Sequence, residues 1–321
     1  MSKVRNYLSL IKFSHTIFAM PFALIGFLIP ASSLIKMFLE YRTKDLPCFP
    51  AKDTHVTRII EFDFNSPLSF TELFVRFGLI ILCMIFARSA AMAFNRYLDR
   101  KFDAKNPRTA VREIPAGIIK ANSVLWFTIA SCLLFIVCCF FINKLCFYLS
   151  PVALAVVLGY SYTKRFTPLC HLILGLGLSL APIGAYLAVT GQFALLPILF
   201  SMTVLFWVSG FDIIYALQDV EFDKSQQLYS IPVWLGKTKA LRISELLHLL
   251  SAAAIVFAGW YGNFGWIYWT GAALFTGLLV YQHSIVRPTD LKRVNIAFMT
   301  SNGIASVVFS IFVIIDLLLG Q

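Results

Sequence analysis

The chain has 321 residues, 59% of them hydrophobic and only 13% charged, about half the charged share of an average soluble domain. That balance excludes an ordinary cytosolic domain, a collagen-like or disordered chain and a disulfide-stapled scaffold. The excess of 27 Lys and Arg over 16 Asp and Glu, formally +11, is explained by membrane topology before nucleic acid, so no nucleic-acid partner is expected.

Apolar stretches near 20 residues recur along the chain, and each is long enough to cross roughly 30 Å of hydrocarbon. They predict an all-α polytopic membrane protein, one transmembrane domain over 1–321. Nine spans are expected, at about 16–38, 72–94, 122–142, 145–162, 169–189, 194–217, 243–262, 266–283 and 295–319. Lys3, Arg5 and Lys12 precede the first apolar run, which is too long for a signal core and lacks a cleavage site. It is read as a span. An extended outer loop follows at about 39–71, where Pro47, Pro50 and Pro67 oppose a regular helix and Ile59, Ile60, Phe62 and Phe64 suit a membrane surface.

With the N-terminus inside, the inner segments collect 19 Lys and Arg and the outer segments six, the bias expected of a cytoplasmic side. An N-terminus inside and a C-terminus outside are expected. The seven cysteines form no CxxC pair and lie mostly within apolar runs, so no disulfide framework is expected; Cys48 alone falls in a polar loop.

Acidic residues are costly near hydrocarbon, about 2.5 to 3.5 kcal/mol each at mid-bilayer, so clusters of them call for a reason. Two clusters fall at cytoplasmic ends of spans. Asn95, Asp99 and Asp103 are spaced i, i+4, i+8 and share one helix face, followed by Asn106-Pro107-Arg108-Thr109. Asp212, Tyr215, Asp219 and Asp223 lie at offsets 0, 3, 7 and 11 and also line one face. A solvated rim of i, i+4 pairs would explain one cluster; two matched rows on one side point to a site.

Rows of oxygen ligands without His or Cys suit a hard divalent cation such as Mg²⁺, which binds through a few carboxylates and substrate phosphate. Cations surround them: Arg96, Arg100, Lys101, Arg108 and Arg112 on one loop, Lys164 and Arg165 on another. Acids, metal and basic groups together fit a diphosphate better than a free cation or a neutral solute.

At these residues the chain resembles the UbiA superfamily of intramembrane prenyltransferases, whose NxxxDxxxD and DxxxD motifs are matched by Asn95, Asp99, Asp103 and by Asp219, Asp223. Tyr160-Ser-Tyr-Thr-Lys164-Arg165 matches as well, and Ser14 to Pro21 and Arg88 to Asn95 resemble the 4-hydroxybenzoate polyprenyltransferase branch. The similarity runs over the chain except 39–71. It implies nine helices around a central cavity open to lipid, and Mg²⁺-dependent transfer of a polyprenyl group from polyprenyl diphosphate to an aromatic acid in ubiquinone or menaquinone biosynthesis. Prenylation of 1,4-dihydroxy-6-naphthoate on the futalosine route is the alternative acceptor. An ion-coupled secondary transporter is the competing class, although transporters bind ions near the bilayer midplane and these acids lie at one face.

The resemblance further implies that Asn95, Asp99 and Asp103 hold one Mg²⁺ and Asp219 and Asp223 another. Lys164, Arg108 and Tyr160 would bind diphosphate, with Lys164 preferred over Arg165. Phe94, Tyr97, Phe206 and Trp207 are expected as aromatic walls. Arg88, seven residues before Asn95 and about 10 Å deeper, would grip the acceptor carboxylate or pair with Asp212. His15 would help place the aromatic ring, and Asp212 is a candidate general base.

Overall fold

A computed structural model describes residues 3–11, 18–43 and 70–319. In chain order its helices are α1 (Lys3–Leu10), α2 (Met20–Thr43), α3 (Phe70–Asp103), α4 (Ala121–Ile142), α5 (Lys144–Thr163), α6 (Cys170–Thr190), α7 (Leu195–Ala216), α8 (Val220–Ser225), α9 (Ile231–Tyr261), α10 (Trp266–Ile285) and α11 (Asn302–Leu319). A 3₁₀ turn, Leu217–Asp219, joins α7 to α8, and a π-helical stretch, Ile296–Ser301, leads into α11. Among the described residues there is no β-structure beyond one isolated bridge, Arg287 to Asp290. The all-α polytopic expectation holds.

Among the described residues, seven helical segments are long and apolar enough to cross a membrane, against the nine expected. The two outside that set are α2 and α10; α10 carries Trp266, Tyr268, Trp269, Tyr281, Gln282 and His283, which lower its hydropathy without shortening it. Cys48 and most of the outer loop lie outside the described residues, and the cysteines within them are free.

Two helices differ in length from expectation, for local reasons. The helix α3 has 34 residues, about 50 Å at 1.5 Å per residue, longer than roughly 30 Å of hydrocarbon, and Asn95, Asp99 and Asp103 lie in its last turns. The helix α9 begins at Ile231, twelve residues before the expected span. Ser230 caps it, its Oγ accepting from the Val233 amide at 3.3 Å, and Gly236 at φ 79° breaks the rod before the membrane portion starts.

Between lipid-embedded helices the hydrophobic effect is weak, so close packing and buried hydrogen bonds hold the bundle. Phe18, Phe22, Trp207, Phe275 and Phe309 interlock at its centre, and the Trp207 indole N–H donates to Asn302 Oδ1 at 2.8 Å. Gln282 donates to the same oxygen at 2.7 Å. Gly26 and Gly175 each stand at a helix crossing with no room for a side chain: a Cβ on Gly26 would sit 2.0 Å from the Pro182 carbonyl, and one on Gly175 would sit 2.3 Å from Ser209 Oγ. The first contact presses α2 against α6 and the second presses α6 against α7, which places the start of α6 beside the second acidic row.

Candidate active site

Both acidic rows line one cavity of about 290 Å³, together with Arg88, Lys164, Arg165 and Tyr160. Asn95, Asp99 and Asp103 come from the last turns of α3. Asp212 and Tyr215 come from the end of α7, and the 3₁₀ turn tightens the chain so that Asp219 and Asp223 stay on the same side. The loop after α3 ties the rows together. Thr109 Oγ1 donates to the Asp103 carbonyl at 3.1 Å, Asn106 Nδ2 reaches Asp219 Oδ1 at 3.5 Å, and Arg108 donates to the Tyr215 hydroxyl at 2.6 Å and to Asp219.

Each acid of the two motifs faces a cation. Asp99 accepts from Arg165 at 3.0 Å, Asp103 from Arg112 at 2.7 Å and Asp219 from Arg108, and Asp223 lies 2.8 Å from the Lys164 ammonium. Burial works against the charge of Lys164, but the adjacent Asp223 carboxylate holds its ammonium above the usual lysine range. Lys164 therefore stays cationic at the cavity wall.

The donor set fits a hard cation. Asp103 Oδ2 and Asp223 Oδ2 are buried without a hydrogen-bond partner, a costly arrangement for a carboxylate oxygen unless a positive ligand meets it. Among the described residues no three His, Cys, Asp or Glu side chains converge closely enough to hold a metal ion by themselves. Magnesium, which completes its shell with water and substrate phosphate, needs no such cage.

A second cavity of about 390 Å³ runs between α3, α4, α5 and α6, lined by residues such as Ile80, Phe135, Leu149, Val156 and Leu180. Arg88, Met92, Tyr160, Leu174 and Leu178 border both cavities. Arg88 thus stands where the charged space meets the apolar one. Its Nε is buried without a partner and it makes no ion pair among the described residues.

The structure revises several sequence expectations. Asp212 is not paired with Arg88; its Oδ2 lies 2.7 Å from His171 Nδ1. Arg165, ranked below Lys164, lies directly on Asp99. None of Phe94, Tyr97, Phe206 and Trp207 lines the charged cavity; Trp207 is fully buried in the bundle core and Phe94 packs on Tyr162. Phe18, Phe102, Phe211, Phe222 and Phe298 form the aromatic wall instead. Phe298 lies over the Tyr215 ring with centroids 4.2 Å apart. His15 lies outside the described residues. His171 was not anticipated, because a lone histidine just inside an apolar helix gives no periodic signal.

Comparison with known proteins gives the chain's relatives. Residues 66–304 match the model of the UbiA prenyltransferase family. A 4-hydroxybenzoate octaprenyltransferase of Tolumonas auensis is 31% identical over 223 residues, 70% of this chain and 78% of that protein. A protein of the same name from Nitrosospira multiformis is 29% identical over 72% of this chain and 80% of its own length. Among solved structures, the apo form of a UbiA homolog from Aeropyrum pernix superposes with a TM-score of 0.70 at 25% identity, covering 93% of this chain and 95% of that one. A UbiA homolog from Archaeoglobus fulgidus bound to DMAPP and Mg²⁺ shares the fold, with a TM-score of 0.65 at 18% identity over 96% of this chain and 97% of that one.

Proposed function

From the premise that this chain belongs to the UbiA prenyltransferase family, we propose that it transfers a polyprenyl group from polyprenyl diphosphate to an aromatic acid of the 4-hydroxybenzoate type, with Mg²⁺, in quinone biosynthesis. The reaction is placed at the cytoplasmic face of a bacterial inner membrane, in line with the positive-inside bias. One observation carries the reading: a charged cavity and an apolar chamber meet at Arg88 and Tyr160, as a substrate with a diphosphate head and an isoprenoid tail requires.

Asn95, Asp99 and Asp103 would hold one Mg²⁺, and Asp219 and Asp223 a second. When bound, the metal supplies positive charge against the negative charge that builds on a departing diphosphate. Lys164 and Arg108, now held on Asp223 and Asp219, turn to diphosphate oxygens once those acids are otherwise engaged. The apolar chamber takes the tail, and the aromatic wall of Phe18, Phe211 and Phe298 shields the allylic carbon from water. Arg88, without a carboxylate of its own, binds the carboxylate of the acceptor and orients its ring toward that carbon.

The test is reconstitution of the full chain in lipid vesicles with one labelled polyprenyl diphosphate and, in separate reactions, 4-hydroxybenzoate or 1,4-dihydroxy-6-naphthoate. A prenylated product that forms with Mg²⁺ and is lost on chelation supports the reading. Donor cleavage without a product from either acid defeats the acceptor assignment, and no donor cleavage defeats the whole proposal.

A further inference from the structure

We propose that His171 is the base that takes the proton lost by the aromatic acceptor, with Asp212 fixing its tautomer. The inference rests on the aromatic-acceptor reading above and deepens it. His171 is the second residue of α6, only 3% exposed, and its imidazole lines the charged cavity. Its Nδ1 lies 2.7 Å from Asp212 Oδ2, whereas its Nε2 is buried with no hydrogen-bond partner. An ionised carboxylate can only accept, so Nδ1 carries the hydrogen, and in the neutral ring Nε2 keeps the lone pair that takes the proton. A carboxylate behind one ring nitrogen and an open lone pair on the other is the arrangement by which a histidine serves as general base.

Packing fixes the backbone that carries the ring. Ser209 Oγ donates to the His171 carbonyl at 3.2 Å and to the Leu205 carbonyl at 2.7 Å, bridging α6 and α7. One turn further along α6, Gly175 lies so close to Ser209 that no side chain fits between the helices. Other cavity groups are poorly placed for the task. Asp99, Asp103, Asp219 and Asp223 each hold a cation, Lys164 is itself cationic, and the Tyr215 hydroxyl accepts from Arg108. His171 is the only imidazole among the described residues that line the cavity.

The step balances without a further reactant. The allylic C–O bond breaks and its electron pair leaves on diphosphate. The allylic carbon then bonds to the ring carbon ortho to the hydroxyl, drawing two ring electrons. The C–H bond at that carbon returns its electrons to the ring, and the proton passes to His171 Nε2.

The test uses His171→Gln in the full chain in vesicles with Mg²⁺, comparing ordinary 4-hydroxybenzoate with the same acid deuterated at both positions ortho to the hydroxyl. We expect kcat to fall roughly 10²- to 10⁴-fold, the usual weight of a general base. The donor KM should stay within about twofold, and deuteration should slow the variant several-fold while leaving the wild-type chain unaffected. Asp212→Asn, which disturbs the tautomer, should show a smaller loss with the same isotope sensitivity. Undiminished turnover by His171→Gln overturns the assignment, as does a raised acceptor KM without an isotope effect, which would make His171 a binding group. Loss of donor binding would make its role structural and overturn it too. If the unaltered chain cleaves donor but does not prenylate this acid, the acceptor reading fails and the base assignment falls with it; a productive unaltered chain with an indifferent variant removes the base alone.

Discussion

The two cavities that meet at Arg88 are built on opposite rules. In the charged one, four carboxylates each face a cation, and the wall includes buried oxygens with nothing to bind. In the apolar one, almost every lining residue is aliphatic, aromatic or cysteine, and small residues such as Gly177, Ala181 and Gly184 leave the space open. On the proposed reading the first recognises charge and geometry, and the second recognises length and volume. The proposed amphiphilic donor would need the two to adjoin.

The strongest way to break that division is to remove a carboxylate. Asp99→Ala or Asp219→Ala should lower Mg²⁺-dependent diphosphate release roughly 10³-fold, the few kcal/mol that metal-assisted charge stabilisation supplies. Near wild-type rates in both variants would show that the charged cavity is not the reaction site. At the border, Arg88→Gln should raise the acceptor KM about 10- to 100-fold, the weight of one charge-assisted hydrogen bond, and leave the donor KM unchanged. An equal rise in both constants would mean that Arg88 serves the diphosphate.

Filling the chamber should sharpen the contrast. A Cβ on Gly184 would meet nothing within 4 Å, so Gly184→Phe should be accepted by the fold yet occupy the tail space. We expect turnover of long-chain donors to fall about tenfold relative to a one- or two-isoprene donor, measured as a ratio of kcat/KM values. An unchanged ratio would place the tail elsewhere. The smallest effect on activity lies outside both cavities. Gly26→Ala, forced against the Pro182 carbonyl, should cost about 1 to 3 kcal/mol of stability, seen as a lower Tm in detergent with kcat/KM retained by the folded fraction.

The same contrast separates what the sequence discloses from what it hides. Spacing of i, i+4, i+8 places Asn95, Asp99 and Asp103 on one face whatever surrounds them, and all three line the cavity. The row from Asp212 to Asp223 reaches the same cavity although its helix breaks after Ala216, because the 3₁₀ turn preserves the side on which the acids emerge. Apolar length likewise reveals most of the helices. Partner choice is another matter, since it depends on how helices distant in sequence are pressed together. Nothing local in Cys170-His171 says that Gly175 brings α6 onto Ser209 and sets His171 against Asp212. For the same reason the expected aromatic wall went to Trp207, whose indole turns inward to Asn302, when Phe211, four residues later, is the ring that lines the cavity.

The wide turn at Ile296–Ser301 has a rotational consequence. A π-type turn accommodates one residue more than regular winding does. Excising a single residue there would restore ordinary pitch and swing the preceding chain by about 100° relative to Asn302. Phe298 would then leave its seat above Tyr215. The position of that ring is a matter of winding number, so an indel at this point should reshape the charged cavity more than most single replacements within it.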